Sequence, residues 1–298
     1  MNEKLKGIIV PAVTPFDQDG NILVDHMEEN FSRWTATGIR GIMVLGSNGE
    51  FKSLTDKESL EIIKYAARFR GDKTLIVGAG RESLYQTVRF IEEVSVYNQY
   101  IDYISVLTPN YFGKNLTGDD LYDYFAAVAN SSSIPILLYN APTFANGVSI
   151  PAKTLAKLAD HPNIAGIKDT SKDQLTRYMV YAGGRDDFEI MAGSIGTIMT
   201  DLFFGGPGGV VSAANYFPAE CAQLTDLFFK GEISAYMDLY KELFMLVEMT
   251  GGKSGVASVK ATMNLLGFQA GIPRSPVSPL SKKEEENIRQ VLETHNKL

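Results

Sequence analysis

The chain has 298 residues, of which 45% are hydrophobic and 21% are charged, and its formal net charge is −7 at pH 7. A nucleic-acid-binding surface needs a basic face, so this acidic balance argues against DNA or RNA and favours small molecules as partners. No apolar run approaches the roughly 20 residues that span a bilayer, so no membrane association is expected. Cys221 is the single cysteine, which excludes an intrachain disulfide and a cysteine metal cluster. The first residues have no signal-peptide core, and a cytoplasmic location is expected.

Short apolar runs alternate with amphipathic segments along most of the chain. The segment 55–69 has a helical pattern that begins with a Thr-Asp-Lys-Glu capping box, and the segment 83–97 is similar. The apolar runs predict eight strands, at 7–14, 41–46, 74–80, 103–109, 134–140, 164–169, 188–193 and 208–212. Eight strands alternating with helices predict an α/β fold of the (β/α)8 TIM barrel type.

No strand is predicted beyond about Pro218. The segments 224–249, 256–266 and 281–295 have helical patterns instead. We therefore predict a barrel over residues 1–222 and a C-terminal helical region over residues 223–298.

Lys168 ends the sixth predicted strand, in Ile-Ala-Gly-Ile-Lys-Asp. An amine at the end of a buried strand lies in a low-dielectric place, where burial favours the neutral, nucleophilic form that can build a Schiff base. The alternative is an ordinary solvated lysine at a strand end. Active sites of such barrels lie at the C-terminal ends of the strands, so the residues at the neighbouring strand ends help to decide between a reactive and a solvated lysine.

Two other strand ends carry matching chemistry. The fifth strand ends in Leu-Tyr139-Asn-Ala-Pro, one βα unit before Lys168, so a phenol is expected beside the amine. The second strand ends in Gly-Ser47-Asn48-Gly49-Glu, a tight turn whose backbone N–H groups can converge on an anion. A 2-oxo acid needs these three things: an amine for an imine, an anion-binding turn and a phenol that transfers protons.

These motifs, with the Pro-Ala-Val-Thr-Pro-Phe start and the closing Ser-Pro-Leu-Ser, resemble the dihydrodipicolinate synthase and N-acetylneuraminate lyase superfamily over nearly the whole chain. The resemblance implies a pyruvate-handling class I lyase with Lys168 as the Schiff-base lysine and Tyr139 as the proton-transfer tyrosine. It also implies that Ser47 and Tyr111 complete a hydroxyl relay, with Tyr111 supplied by a neighbouring subunit. The protein is then expected to be a homodimer or homotetramer that uses no metal and no organic cofactor.

Phe144 departs from the synthases of this superfamily, which carry an arginine at this place to hold the carboxylate of the aldehyde substrate. An aromatic ring cannot replace a bidentate guanidinium. The Gly-Ser-Asn-Gly-Glu motif is similar to that of 4-hydroxy-2-oxoglutarate and 2-keto-3-deoxy sugar acid aldolases. We therefore expect retro-aldol cleavage of such an acid, with 4-hydroxy-tetrahydrodipicolinate synthase as the alternative and a non-catalytic oxo-acid-binding barrel as a remote one. Candidate substrate-binding residues are Ser47, Asn48, Gly49, Phe144, Gly193 and Val211.

Two nucleotide-binding patterns are incomplete. Gly252-Lys253-Ser254 resembles the end of a P-loop, but Val247 occupies the position of its first glycine. Gly78-Ala-Gly80 lacks the third glycine of the dinucleotide fingerprint. Neither pattern predicts a nucleotide site.

Overall fold

The structure is a computed structural model that describes residues 2–171, 173–251 and 255–298. The Gly-Lys-Ser segment at 252–254 lies outside the described residues, so its likeness to a P-loop is not tested.

Eight strands follow one another in chain order around a closed barrel, which confirms the predicted (β/α)8 fold. The pairs for which a register is defined are all parallel. The strands are β1 (Gly7–Pro11), β2 (Gly41–Val44), β3 (Thr74–Gly78), β4 (Tyr103–Leu107), β5 (Ile136–Asn140), β6 (Ile164–Asp169), β7 (Glu189–Ala192) and β8 (Gly208–Val210).

The strands are buried along nearly their whole length, and β3, β4 and β5 are buried at every residue. A strand that is covered on both faces reads as a continuous apolar run, which is why these segments could be predicted. Most strands are shorter than predicted at one or both ends. The residues just past the C-terminal ends leave the ladder and form the loops that carry the candidate site.

Eleven α-helices occur in the described parts of the chain. They are α1 (Val24–Thr35), α2 (Asp56–Phe69), α3 (Leu84–Val94), α4 (Gly118–Ser131), α5 (Ala152–Leu158), α6 (Leu175–Ala182), α7 (Ile195–Phe203), α8 (Pro218–Phe229), α9 (Ile233–Met249), α10 (Val256–Leu265) and α11 (Lys282–Thr294). None of these described helices combines the length and the apolar character needed to cross a membrane.

The helix boundaries follow local signals. The predicted capping box of α2 is present, since the Thr55 side chain accepts from the Glu58 N–H and the Glu58 carboxylate accepts in return. The segment predicted as helical over 224–249 forms parts of two helices, α8 and α9. Gly231, with φ of +77°, lies between them, in a left-handed conformation that glycine tolerates and that ends a helix.

The chain divides into two compact units. The first contains the residues up to Lys6 and Thr74–Val210, and the second contains Gly7–Lys73 and Val211–Leu298. The predicted division after residue 222 stays a prediction, and α8 runs through that position. Residues predicted for the site occur in both units, and each unit is described separately below.

Candidate active site

The first unit pairs the two residues that sequence analysis placed side by side. In the β5–β6 ladder Tyr139 lies opposite Lys168, and Asn140 lies opposite Asp169. The Lys168 Nζ lies 4.4 Å from the centroid of the Tyr139 ring. Lys168 is 6% exposed and Tyr139 is 3% exposed, so the alternative of a solvated strand-end lysine is wrong.

The residues that follow Tyr139 and Lys168 in their strands form a buried polar contact with each other. Asn140 Nδ2 donates to Asp169 Oδ1 at 2.7 Å, and neither side chain has measurable exposure. Ser171 Oγ donates to Asp169 Oδ2 at 2.6 Å, and the Ser171 N–H donates to Oδ1 at 3.2 Å. Because successive side chains of a strand point to opposite faces, this contact lies on the face opposite to Lys168 and Tyr139.

Asn140 also fixes the loop that follows β5. Its Oδ1 accepts from the Ile150 N–H at 2.9 Å, and its carbonyl oxygen accepts from the Thr170 N–H at 2.9 Å. Burial raises the pKa of the Asp169 carboxyl, while the hydrogen bonds from Asn140 and Ser171 oppose that shift. The side chain and the carbonyl oxygen of Asn140 thus connect β5 with the end of β6, the residue after it and the segment around residue 150.

Gly193, predicted to bind substrate, lies directly after β7 and packs against the end of β6. A Cβ added there would lie 2.2 Å from Thr170 Cγ2 and 2.6 Å from the Asp169 carbonyl oxygen. Only glycine fits this approach without moving the backbone next to Lys168. The structure therefore gives Gly193 a packing role beside the site, and its contact with substrate stays a prediction.

Tyr111 and Phe144 lie at the surface of the first unit. Tyr111 is 77% exposed and Phe144 is 58% exposed. The Glu82 carboxylate holds the Tyr111 loop, because its Oε2 accepts from the N–H groups of Asn110 at 2.9 Å and of Tyr111 at 3.0 Å. Phe144 belongs to the turn after β5, where its N–H donates to the Ala141 carbonyl oxygen at 2.9 Å.

The second unit carries the predicted anion-binding turn, residues 46–50 after β2. Leu45 and Glu50 have φ of +57° and +53°, values that side-chain-bearing residues rarely adopt. Gly49 is closely packed, since an added Cβ would lie 3.2 Å from the Ala12 carbonyl oxygen. The Thr14 hydroxyl donates to the Gly49 carbonyl oxygen at 2.8 Å in the buried interior. The turn therefore has a strained, well-supported backbone.

Ser47 and Asn48 are half-buried at the tip of this turn. Asn48 Nδ2 donates to Ser212 Oγ at 2.8 Å, while the backbone N–H of Asn48 meets no acceptor in the described parts of the chain. Val211, also predicted to bind substrate, is fully buried, and its N–H donates to the Ile9 carbonyl oxygen at 3.3 Å. A contact between substrate and Val211 stays a prediction.

Sequence analysis missed the charged residues that support the turn. Glu50 pairs with Lys260 of α10 at 2.6 Å, and its other oxygen accepts from the Arg274 N–H at 2.8 Å. The Arg274 guanidinium pairs with Glu58 at 2.7 Å and holds the pKa of that carboxyl at about 2. Lys260 could have been noticed as the one charge in the otherwise uncharged helix Val256–Leu265.

The comparison with protein families decides the membership of the chain. The model of the dihydrodipicolinate synthetase family matches residues 4–295. The chain belongs to this family. As a member of the dihydrodipicolinate synthetase family it is an enzyme, a carbon–carbon lyase of the class I aldolase type, so the alternative of a non-catalytic barrel is not supported.

Relatives of this family member carry two different names. The chain is 29% identical to a 4-hydroxy-tetrahydrodipicolinate synthase of Clostridium novyi, over 98% of this chain and 97% of the relative. It is also 29% identical to a probable mitochondrial 4-hydroxy-2-oxoglutarate aldolase of Emericella nidulans, over 95% of this chain and 93% of the relative. A crystal structure of dihydrodipicolinate synthase from Thermotoga maritima superposes with a TM-score of 0.91 at 26% identity and covers 98% of this chain and 99% of its own.

We predict that Asn140→Ala lowers the free energy of unfolding by roughly 2–4 kcal/mol, because it removes one of the buried donors to the Asp169 carboxyl and leaves the buried Ile150 N–H without its acceptor. Urea denaturation followed by circular dichroism measures this loss. The matched control is Asn130→Ala, which removes an exposed contact with His161 and should change stability by less than about 0.5 kcal/mol. Equal stability of the two variants would contradict the structural role given to Asn140.

Proposed function

We propose that the protein cleaves or forms a carbon–carbon bond to pyruvate through an imine on Lys168. The observation that carries this proposal is the buried pair at the ends of β5 and β6, where the Lys168 Nζ lies 4.4 Å from the Tyr139 ring centroid. An amine in such a place is kept from water and has a phenol within reach to transfer protons. Membership of the family supports the same assignment.

The reaction can be written with its electrons and protons balanced. The Lys168 amine attacks C2 of a 4-hydroxy-2-oxo acid, and loss of water gives a protonated imine. Tyr139, to which we assign proton transfer, takes the proton of the C4 hydroxyl and passes its own phenolic proton to the hydroxyl relay. The C3–C4 bond breaks, its electron pair flows to the iminium nitrogen, and an aldehyde and an enamine result. Protonation of the enamine at C3 and hydrolysis release pyruvate and free Lys168.

We assign the substrate carboxylate to the turn that contains Ser47, Asn48 and Gly49. Backbone N–H groups of a tight turn make an anion-binding concavity, and the N–H of Asn48 has no competing acceptor among the described residues. The Ser47 hydroxyl is assigned to the proton relay with Tyr139 and Tyr111. These roles rest on the family resemblance and on the turn geometry.

Tyr111 is assigned to the relay of a neighbouring subunit. Its side chain is 77% exposed, while its backbone N–H donates to Glu82, so an anchored loop presents an aromatic side chain to the outside of the subunit. A homodimer or homotetramer would use this side chain to complete the next site.

For the second substrate we propose an uncharged aldehyde fragment, as released from a 2-keto-3-deoxy sugar acid. Phe144 offers a phenyl ring where a charged aldehyde would need a cation, and a carboxylate that leaves water without a partner loses binding energy. 4-Hydroxy-2-oxoglutarate, the substrate in the name of the Emericella nidulans relative, is the second candidate. 4-Hydroxy-tetrahydrodipicolinate synthesis, named for the Clostridium novyi relative, is the third.

We predict that borohydride with pyruvate adds a stable, pyruvate-sized mass to Lys168, because a protonated imine is reduced and a free amine is not. Peptide mass spectrometry locates the adduct. An adduct that persists in Lys168→Ala would exclude this lysine.

Tyrosine variants show whether the adjacent phenol acts in the same reaction. Tyr139→Phe should lower turnover by about 100-fold or more, the scale expected for a lost acid–base group. Tyr103→Phe is the matched control, because it removes a hydroxyl at the N-terminal end of β4, where Tyr103 accepts from Asn2, whereas Tyr139 lies near the C-terminal end of β5. Equal turnover of both variants would leave Tyr139 a packing residue.

We predict that mixing two inactive variants, Lys168→Ala and Tyr111→Phe, restores activity. In a mixed assembly the subunit with intact Lys168 receives an intact Tyr111 from its neighbour, so one complete site forms. Turnover is measured after the two variants are exchanged under mild denaturation and refolded together. No recovery, in mixed assemblies verified by native mass spectrometry, would mean that Tyr111 does not act across subunits.

We predict a higher kcat/KM for cleavage of a 2-keto-3-deoxy sugar acid than for condensation of pyruvate with aspartate semialdehyde. The missing charged hydrogen bond should disfavour aspartate semialdehyde by roughly 10- to 100-fold. Phe144→Arg should recover part of that factor, whereas Phe144→Leu, the control, should not. A synthase activity that exceeds the cleavage activity in the unaltered protein would reverse the assignment of substrate.

A further inference from the structure

Lys260 is the most deeply buried cation among the described residues, with 1% of its side chain exposed. Its ammonium group lies close to three oxygen atoms: Glu50 Oε1 at 2.6 Å, the Thr14 carbonyl oxygen at 2.7 Å and the Ile272 carbonyl oxygen at 2.8 Å. The two carbonyl oxygens accept hydrogen bonds from the ammonium, and the Glu50 carboxylate forms an ion pair with it. It also lies 4.6 Å from the centroid of the Phe16 ring.

Such burial needs a reason, since replacing a buried ion pair with apolar residues is often neutral or stabilising. Burial lowers the pKa of Lys260 to about 8, and the Glu50 carboxylate opposes that shift. The ammonium is therefore mostly charged at neutral pH. The proposed imine chemistry uses neither Lys260 nor Glu50.

Two of the three oxygen partners of Lys260 lead to the anion-binding turn. Glu50 is the last residue of that turn and has φ of +53°. Thr14, whose carbonyl oxygen accepts from Lys260, uses its hydroxyl to hold the carbonyl oxygen of Gly49. One cation therefore reaches Glu50 directly and Gly49 through Thr14. The tip of the turn is held from the other side by the contact of Asn48 with Ser212.

We propose that Lys260 is a positioning residue that holds the backbone of residues 47–50 in the shape that binds the carboxylate of the 2-oxo acid. This inference rests on the proposed function of the same site. A residue in α10 thereby determines affinity for the oxo acid, although it takes no part in bond breaking. The buried ion pair fixes a backbone conformation that an apolar pair would leave free to relax.

The test uses reductive trapping, because it needs no aldehyde. For Lys260→Met the pyruvate concentration that gives half-maximal adduct at Lys168 should rise about 10-fold or more, the scale of a lost charged contact, while the maximal trapping rate changes little. Hydroxyacetone has a ketone but no carboxylate, so its trapping should be the same in both proteins. Lys297→Met is the matched control, because Lys297 pairs with Glu220 and Glu242 rather than with residues of the turn, and should leave pyruvate trapping unchanged.

A double variant separates positioning from general stability. Glu50→Gln with Lys260→Met leaves no unpaired buried charge, so it should fold even where Lys260→Met does not. If Lys260 positions the turn, the double variant should still need about 10-fold more pyruvate than the unaltered protein for half-maximal adduct. The inference would be overturned if either folded variant reached half-maximal adduct at the same pyruvate concentration as the unaltered protein. It would also be overturned if the concentration of hydroxyacetone needed for half-maximal adduct rose as much as that of pyruvate. An unaltered protein that forms no adduct would instead overturn the proposed function, and the positioning role with it.

Discussion

The register between β5 and β6 is the constraint on which the rest of the first unit's site depends. Parallel pairing places Tyr139 opposite Lys168, and the hydrogen bond from Asn140 to Asp169, one residue further on, holds that register. A shift by one residue would turn each of these side chains to the other face of the sheet. The buried amide–carboxylate contact would then be lost, so the two faces of the same strands support each other.

In both units a buried carboxyl group is paired with specific donors. Asp169 is kept in the interior by donors from Asn140 and Ser171, and Glu50 by Lys260 and the Arg274 backbone. Unpaired, such groups would destabilise the fold, so each is held by specific donors. In each unit a buried polar contact lies directly beside residues to which we assign chemistry. The reacting groups are thus held by supports that do not themselves react.

The side chain to which we assign substrate specificity does not belong to the strand ends that carry the reacting groups. The amine, the phenol and the anion-binding turn lie at or just past strand ends, whereas Phe144 lies in an exposed turn and Tyr111 in an exposed loop. One barrel can therefore keep its oxo-acid chemistry while loops change the second substrate. Relatives at the same 29% identity carry the names of a synthase and of an aldolase, which agrees with that separation.

The barrel and the Tyr139–Lys168 pair could be predicted from the sequence, because alternating strands and helices force consecutive parallel strands to lie side by side. The capping box at Thr55 was equally local. The support of the anion-binding turn could not be predicted, because Glu50 and Lys260 are far apart in the chain and no periodic pattern relates them. The close approach of Gly193 to the Asp169 backbone also depends on how two strands pack. Local patterns determine which elements form, and only packing decides which distant side chains share a buried space.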